Sequence, residues 1–225
     1  MISNQRKREK RSITFLPGLE TSREHRYQSF AARHGAENFV TPGNEIFYQF
    51  EKTARLWLVD LNKYTDEQFA RKPSETQWSI GQVYYHLVAG TENFHLRACK
   101  RCIEHRGEVI EGGKTLAGKI VFLLGSFLPV KIHVPPSPEY TPKQPESRAE
   151  MREGLLKLIE TMRALAPEID GASPVQKWKH PALGMLNAAE WYRLIEIHFR
   201  HHLRQKARLD KFLKNVVRLA SLPGN

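Results

Sequence analysis

The sequence predicts an all-α protein, built as one four-helix bundle with a long connection between the second and third helices. Four segments carry apolar residues three or four positions apart, the spacing of a helix that buries one face. The last three of these segments each begin with a Ser or Asn followed three residues later by Gln or Glu, a pattern typical of helix N-termini. Strand signal is weak, because only residues 130–134 could form a strand and the prolines after them argue against a sheet.

The first helix is predicted over about residues 44–63. Thr65 and Gln68 follow it and form a T-x-x-Q pattern, which predicts a short capped turn. The predicted apolar face of this first helix consists of Phe47, Phe50, Ala54, Trp57 and Leu61.

The second helix has the clearest predicted start. Ser79 and Gln82 form an S-x-x-Q capping box, and Trp78 is expected to pack on Val83 as a hydrophobic staple. The helix is predicted to end near His105. Its apolar face is expected to contain Ile80, Val83, Tyr84, Leu87, Phe94, Ala98 and Cys102.

The third and fourth helices also begin at capping patterns. Ser147 with Glu150 opens the third, and Asn187 with Glu190 opens the fourth, which is predicted to run to about Asn215. Residues 106–146 connect the second helix to the third, and a crossover of this length is typical of parallel neighbouring helices. The residues expected to be buried in the third helix are Met151, Leu155, Leu158, Ile159, Met162 and Leu165.

Three regions follow from these boundaries. Residues 1–43 are predicted to be a basic, poorly ordered extension, or residues added outside the fold by an upstream start codon. Residues 44–215 form the bundle, and residues 216–225 are a C-terminal tail. The N-terminus lacks the apolar segment of a secretory signal, and no apolar run reaches the roughly 18 residues of a membrane helix, so we expect a cytoplasmic protein with no membrane partner.

The formal net charge of +11 permits contact with a polyanion without requiring it. Residues 6–11 carry five cationic side chains against one glutamate. A second basic stripe is predicted on the outer face of the fourth helix, where a solvated surface is favoured over nucleic-acid binding. That stripe consists of Arg193, Arg200, Arg204 and Lys211.

Two histidines are predicted to interrupt the apolar face of the fourth helix. At 100° per residue with Trp191 as zero, Ile195 falls at about 40° and Leu209 at about 0°. On the same scale His198 falls at about 340° and His202 at about 20°, within the core-facing stripe. Two imidazoles at i and i+4 can direct their nitrogens at one point, as in many metal sites. Hydrogen bonds to backbone carbonyls or water are the alternative way to satisfy them.

A third ligand would have to come from another helix, and helical angles do not identify it. With Ile80 as zero, His86 falls at about 240° and His95 at about 60°, on opposite flanks of the apolar stripe.

The single C-x-x-C pair, Cys99 and Cys102, supports three interpretations. The two cysteines could bind zinc together with His95, or act as a redox pair whose thiol pKa is lowered by the two cations between them. Against these, both could simply be small, buried, reduced side chains.

Two segments resemble the signatures of the DinB and YfiT-like superfamily. WSIGQVYYHLVAGTENF, which starts at Trp78, is similar to the family's W-S-x-x-x-x-x-x-H-L motif. HPALGMLNAAEWYRLIEIHFRHHLRQ, which starts at His180, is similar to its C-terminal motif, H-P-x-x-G-x-L…W…H-x-x-H-H-x-x-Q.

The resemblance implies a DinB-like four-helix bundle and a metal site. It assigns His86, His198 and His202 as ligands of one divalent ion, Zn or Ni, and leaves His201 outside the site. Three histidines leave coordination positions open, which is typical of catalytic sites. The implied activity is a thiol-dependent S-transferase of the bacillithiol, mycothiol or glutathione class, with a metal-dependent hydrolase or a non-catalytic polyanion-binding module as alternatives.

Two further expectations concern partners and catalysis. The resemblance implies a small-molecule substrate, a low-molecular-weight thiol, and a homodimer. No catalytic residue is assigned, since the two carboxylates on the ligand-bearing helices, Glu92 and Glu196, are only available candidates, and Glu196 is predicted to face away from the core.

Overall fold

The computed structural model describes residues 41–109, 112–128 and 141–220. All of them belong to one compact unit, Val40–Asn225. Predictions for residues 1–40, the strand at 130–134 and residues 221–225 of the predicted tail lie outside the described residues. Residues 42–43 of the predicted extension and 216–220 of the predicted tail are helical. The elements in chain order are α1 (Pro42–Leu61), α2 (Asp66–Ala70), α3 (Ile80–Gly90), a π turn (Thr91–His95), α4 (Leu96–Ile103), β1 (Glu108–Val109), α5 (Leu116–Leu124), α6 (Arg148–Gly171), β2 (Gln176–His180), β3 (Gly184–Asn187) and α7 (Ala188–Ala220).

The all-α, four-helix fold class is confirmed, with α1, α3–α4, α6 and α7 as the long helices. Contacts between side chains give their directions. Val88 lies against Gly154, and Glu92 forms an ion pair with Lys157 at 3.0 Å, so α3 and α6 are parallel neighbours. The predicted crossover between residues 106 and 146 is therefore required by the topology.

Glycine at position 154 permits this close approach. A Cβ atom there would lie 2.7 Å from Cγ1 of Val88, closer than packed carbon atoms come. The absence of a side chain at this position therefore sets the separation of α3 and α6.

Most predicted helix caps form as expected. Ser79 and Gln82 form both bonds of a capping box, each at 3.0 Å. Asn187 and Glu190 do the same at 2.9 Å, and Thr65 with Gln68 caps α2. The box at the start of α6 is only half formed.

At that helix, Ser147 accepts a hydrogen bond from the backbone N–H of Glu150, as predicted. The Glu150 carboxylate, however, accepts from the backbone N–H of Glu146, 2.8 Å away, rather than from Ser147. The extended backbone of Ser147 presents the preceding amide to this carboxylate.

The π turn corrects the prediction that Phe94 lies in the core. Its side chain is 39% exposed, whereas the neighbouring His95 is buried. A π turn contains one residue more than an α turn, which rotates everything after it by about 100° relative to a regular helix. This rotation moves Phe94 outward and brings His95 and Cys99 into the core, where Ala98 and Cys102 are buried as predicted.

A small antiparallel sheet, in the order β1-β2-β3, is a second correction, since no strand was expected in these segments. β2 and β3 form a hairpin in which Trp178 pairs with Leu186 and His180 with Gly184. Gly184 has φ +86°, a conformation that glycine adopts readily, and a Cβ atom there would lie 2.7 Å from the carbonyl oxygen of Gly113. These strands are too short to show a period-two pattern in the sequence.

Apolar burial follows the predicted helical faces closely. All six residues predicted for the third helix are buried in α6, and Phe50, Ala54, Trp57 and Leu61 are buried in α1. The centre of α7 is buried on most sides, including Ile197 and Phe199 beside the predicted stripe. Trp57 donates a hydrogen bond from Nε1 to the carbonyl oxygen of Phe199, which ties α1 to this central helix.

We expect the Ser79→Ala substitution to lower the free energy of unfolding by about 1–2 kcal/mol. Ser79 is fully buried, accepts from the Gln82 amide and donates to Gln144 Oε1 at 2.6 Å. Ser147→Ala, which removes a cap with one bond, should cost about 0.5–1 kcal/mol and serves as the matched control. Urea denaturation of both variants measures the difference; equal losses would contradict it.

Candidate metal centre

Three imidazoles converge between α3 and α7. Nε2 of His198 lies 3.0 Å from Nε2 of His86 and 3.1 Å from Nε2 of His202. One ligand atom from each residue falls within 4.8 Å of the other two. Among the described residues this is the one group of His, Cys, Asp and Glu with such an arrangement.

Helix geometry explains the convergence. His198 and His202 are one turn apart on α7, and their ring centroids are 4.7 Å apart. α3 runs antiparallel to α7, so that His86 meets both rings at centroid distances of 4.9 Å. Trp78, just before α3, packs against His86 with 5.2 Å between ring centroids and covers one side of it.

Burial keeps these imidazoles neutral. Desolvation, and then the neighbouring histidines, lowers the pKa of His202 to about 3 and that of His86 to about 4. The same causes lower the pKa of His198 well below its ordinary value. At neutral pH each ring therefore has an unprotonated nitrogen, the form that binds a metal ion.

Gln205 orients one of the three rings. Its Oε1 atom lies 2.8 Å from Nδ1 of His202 and accepts the ring hydrogen, which leaves Nε2 with its lone pair facing the other histidines. The sequence marked Gln205 only as a polar residue one turn beyond the pair. Nδ1 of His198, in contrast, is buried and has no hydrogen-bond partner within the described part of the chain.

The positions of the rings decide between His86 and His95 as the third member of the group. His95 is 6% exposed and lies behind His198, with 5.1 Å between ring centroids. Burial lowers its pKa to about 3. Its ring is outside the converging group, which contains His86.

Two other histidines make structural contacts outside the three-histidine group. Nδ1 of His180 accepts hydrogen bonds from the backbone N–H groups of Ala182 and Leu183, both at 3.1 Å, and so closes the β2–β3 hairpin. His201 packs against Phe127, with 5.0 Å between ring centroids, and does not join the three histidines. His25, His34 and His133 lie outside the described residues.

The two cysteines are free, fully buried side chains. Sγ of Cys99 donates to the carbonyl oxygen of Ala188, and Sγ of Cys102 to that of Leu186. Burial raises the pKa of Cys99 far above its ordinary value and that of Cys102 to about 11. These surroundings oppose thiolate formation, which both a redox pair and a zinc site would require. They support the interpretation of Cys99 and Cys102 as buried, reduced side chains.

Neither available carboxylate faces the three histidines. Glu92 pairs with Lys157 of α6. Glu196, which was predicted to face away from the core, is nevertheless only 8% exposed, and it forms two bonds with Arg200 at 2.7 and 2.8 Å. Its burial arises because α5 and its following loop cover this side of α7, where Arg200 also donates to the carbonyl oxygen of Gly125.

The arrangement fits a divalent ion. Three neutral imidazole nitrogens from two rigid helices provide the donor set of a three-histidine site, and the rings are already close enough to need little movement.

The fold and the three converging histidines define this protein as a helical bundle with a candidate metal centre. A family model described as the DinB superfamily matches residues 49–205, more than half of the chain, and this match includes all three histidines and ends at Gln205. The chain therefore belongs to the DinB superfamily. No curated protein matches it.

The metal-free protein should lose stability as pH falls from about 6.5 to about 4. An unfolded histidine has a pKa of about 6.5, whereas burial lowers that of folded His86 to about 4. The unfolded chain then binds more protons in this window, so the free energy of unfolding decreases by up to about 1.4 kcal/mol per pH unit for each such histidine. Urea titrations with a chelator measure the slope, which should be shallower in His86→Gln.

Both cysteines should react slowly with a thiol reagent in the folded protein. Their thiols are buried and their pKa values are raised, so the reactive thiolate is scarce. Colorimetric titration should count two thiols in denaturant and almost none within the same time under native conditions. Rapid native labelling of either residue would contradict this expectation.

Proposed function

We propose that this protein binds one divalent metal ion through His86, His198 and His202 and uses it in catalysis. The observation that carries the proposal is the convergence of three Nε2 atoms, with neighbouring separations of 3.0 and 3.1 Å. Zinc and nickel are the preferred ions, because neutral imidazole suits both.

The reaction we favour is a thiol-dependent S-transfer, with bacillithiol, mycothiol or glutathione as the class of thiol. A divalent ion held by three histidines supplies Lewis-acid chemistry that can stabilise a substrate thiolate through its open positions. The protein's own part is orientation. Gln205 fixes the tautomer of His202, and Trp78 covers the outer side of His86.

Two alternatives receive less support from the described residues. Hydrolysis normally needs a general base beside the reacting water, whereas Glu92 and Glu196 are bonded elsewhere. Polyanion binding by the outer face of α7 is weakened because Arg200 is already bonded to Glu196 and to Gly125. The transferase proposal requires neither a carboxylate general base nor a free arginine on the outer face of α7.

Metal analysis of tag-free protein tests the first part of the proposal. The wild-type protein should bind about one equivalent of zinc or nickel, and His198→Ala/His202→Ala should bind almost none. His201→Ala is the matched control, because it removes the intervening histidine of the same helix and should retain the metal. Equal, substoichiometric metal in all three proteins would disprove the site.

Gln205→Ala should weaken metal affinity by about 10- to 100-fold, the usual effect of losing a partner that orients a ligand. The substitution removes the acceptor 2.8 Å from Nδ1 of His202. Competition with a chromogenic chelator measures the affinity. Lys211→Ala, at an exposed position farther along α7, should leave it unchanged.

Thiol binding tests the second part. Cobalt-loaded protein should develop a thiolate charge-transfer absorption when bacillithiol, mycothiol or glutathione is added, and the thiol that binds best indicates the substrate class. Metal binding without a response to any thiol would reject the transferase proposal and leave the metal site intact. Metal-dependent cleavage of ester or amide substrates would instead favour the hydrolase.

A further inference from the structure

Helix α5 exposes most of its apolar surface. Leu123 is 85% exposed, Leu116 75%, Leu124 57% and the following Leu128 44%. We call these four residues the leucine patch. Single exposed leucines are normal on a protein surface, but four within thirteen residues form a cluster that usually marks a contact site.

The opposite face of α5 holds the helix on the bundle. Gly118, Val121 and Phe122 are buried, and Thr115 caps the helix by accepting the amide of Gly118 at 3.1 Å. The leucines therefore do not result from a loose segment. Leu116, Leu123 and Leu124 project from a helix that is anchored along its other side, and Leu128 follows that helix.

Arginines of α7 border one end of this patch. Nη2 of Arg200 donates to the carbonyl oxygen of Gly125 at 2.6 Å, and Nη1 of Arg204 to that of Phe127 at 3.5 Å. Arg193 also approaches Gly125, with Nη2 3.4 Å from the position a Cβ would take. We call Arg193, Arg200 and Arg204 the arginine rim; all three are exposed.

The charge of the rim distinguishes between the candidate partners. A two-fold contact between copies would bury each leucine patch against its equivalent and leave the two rims at opposite ends of the contact, without a partner of opposite charge. A partner with a negatively charged surface would instead contact the leucines and the rim together. Among the described residues Glu196 pairs with Arg200, so Arg193 and Arg204 supply the net positive charge of the rim.

The shape of the patch favours a lipid surface over an acidic protein. Leucines that are 57–85% exposed protrude from α5 instead of lining a groove. A bilayer accepts protruding apolar side chains into its acyl boundary, while its anionic headgroups attract neighbouring arginines. A folded protein would need a matching cavity for each leucine.

We propose that the leucine patch and the arginine rim form a contact site for the surface of an anionic lipid bilayer. Leu123 and Leu124 enter the acyl boundary, and Arg193 and Arg204 bind lipid phosphates. This is a peripheral and reversible contact. Among the described helices, none is both long and apolar enough to cross a membrane.

Co-sedimentation of the full chain with vesicles tests the proposal. The protein should sediment with phosphatidylcholine vesicles that contain phosphatidylserine, remain in solution with phosphatidylcholine alone, and be released by high salt. Leu123→Ser/Leu124→Ser should abolish most of the binding. Arg193→Gln and Arg204→Gln should each weaken it about fivefold, the contribution of one basic residue near such a surface.

Matched controls distinguish binding at this site from non-specific binding to vesicles. Leu56→Ser/Val59→Ser removes two exposed apolar residues of α1, and Arg97→Gln removes an exposed cation of α4. Both should bind vesicles as the wild-type protein does. Unchanged thermal unfolding and metal content would show that the leucine variant is folded.

Three outcomes would overturn the proposal. Vesicle binding that survives Leu123→Ser/Leu124→Ser would assign it to other basic residues, such as those at positions 6–11. Absence of sedimentation with anionic vesicles would exclude a lipid surface. A dimer that the leucine substitutions convert to a monomer, without vesicle binding, would make the patch a contact between copies.

Discussion

Burial of three neutral imidazoles between α3 and α7 is the constraint on which the arrangement of this bundle depends. Polar rings in a dry core are unfavourable unless their nitrogens find partners, and α3 brings Nε2 of His86 to 3.0 Å from Nε2 of His198. α7 is held in register by contacts with every other long helix, including the bond from Trp57 to the Phe199 carbonyl. The packing therefore fixes the spacing of the three Nε2 atoms.

Most of the fold could be predicted from the sequence, because its helices carry local signals that the packing preserves. Capping residues such as Ser79 and Asn187 and the apolar face of α6 all act within one helix. The sheet had no such signal. β1 has two residues and gains its partners only after α4 and α6 bring their ends together.

The site was predictable in part. Helical periodicity alone placed His198 and His202 in the core, because α7 is regular there. It could not identify His86, which flanks the apolar stripe of α3 and is selected by the direction from which α7 crosses it. Phe94 was misplaced because the π turn shifts the helical phase, and the five residues Thr91–His95 carry no pattern that distinguishes a π turn from an α turn.

The π turn allows α3 and α4 to have independent orientations, which a regular helix would fix together. Upstream of it, the orientation of α3 serves His86; downstream, the orientation of α4 serves the contacts of Cys99 and Cys102 with β3 and the start of α7. Deletion of one residue from the π turn during evolution would therefore rotate α4 and leave α3, which carries His86, unchanged. Insertions and deletions in the π turn would change how α4 packs against the sheet without changing the positions of the three histidines.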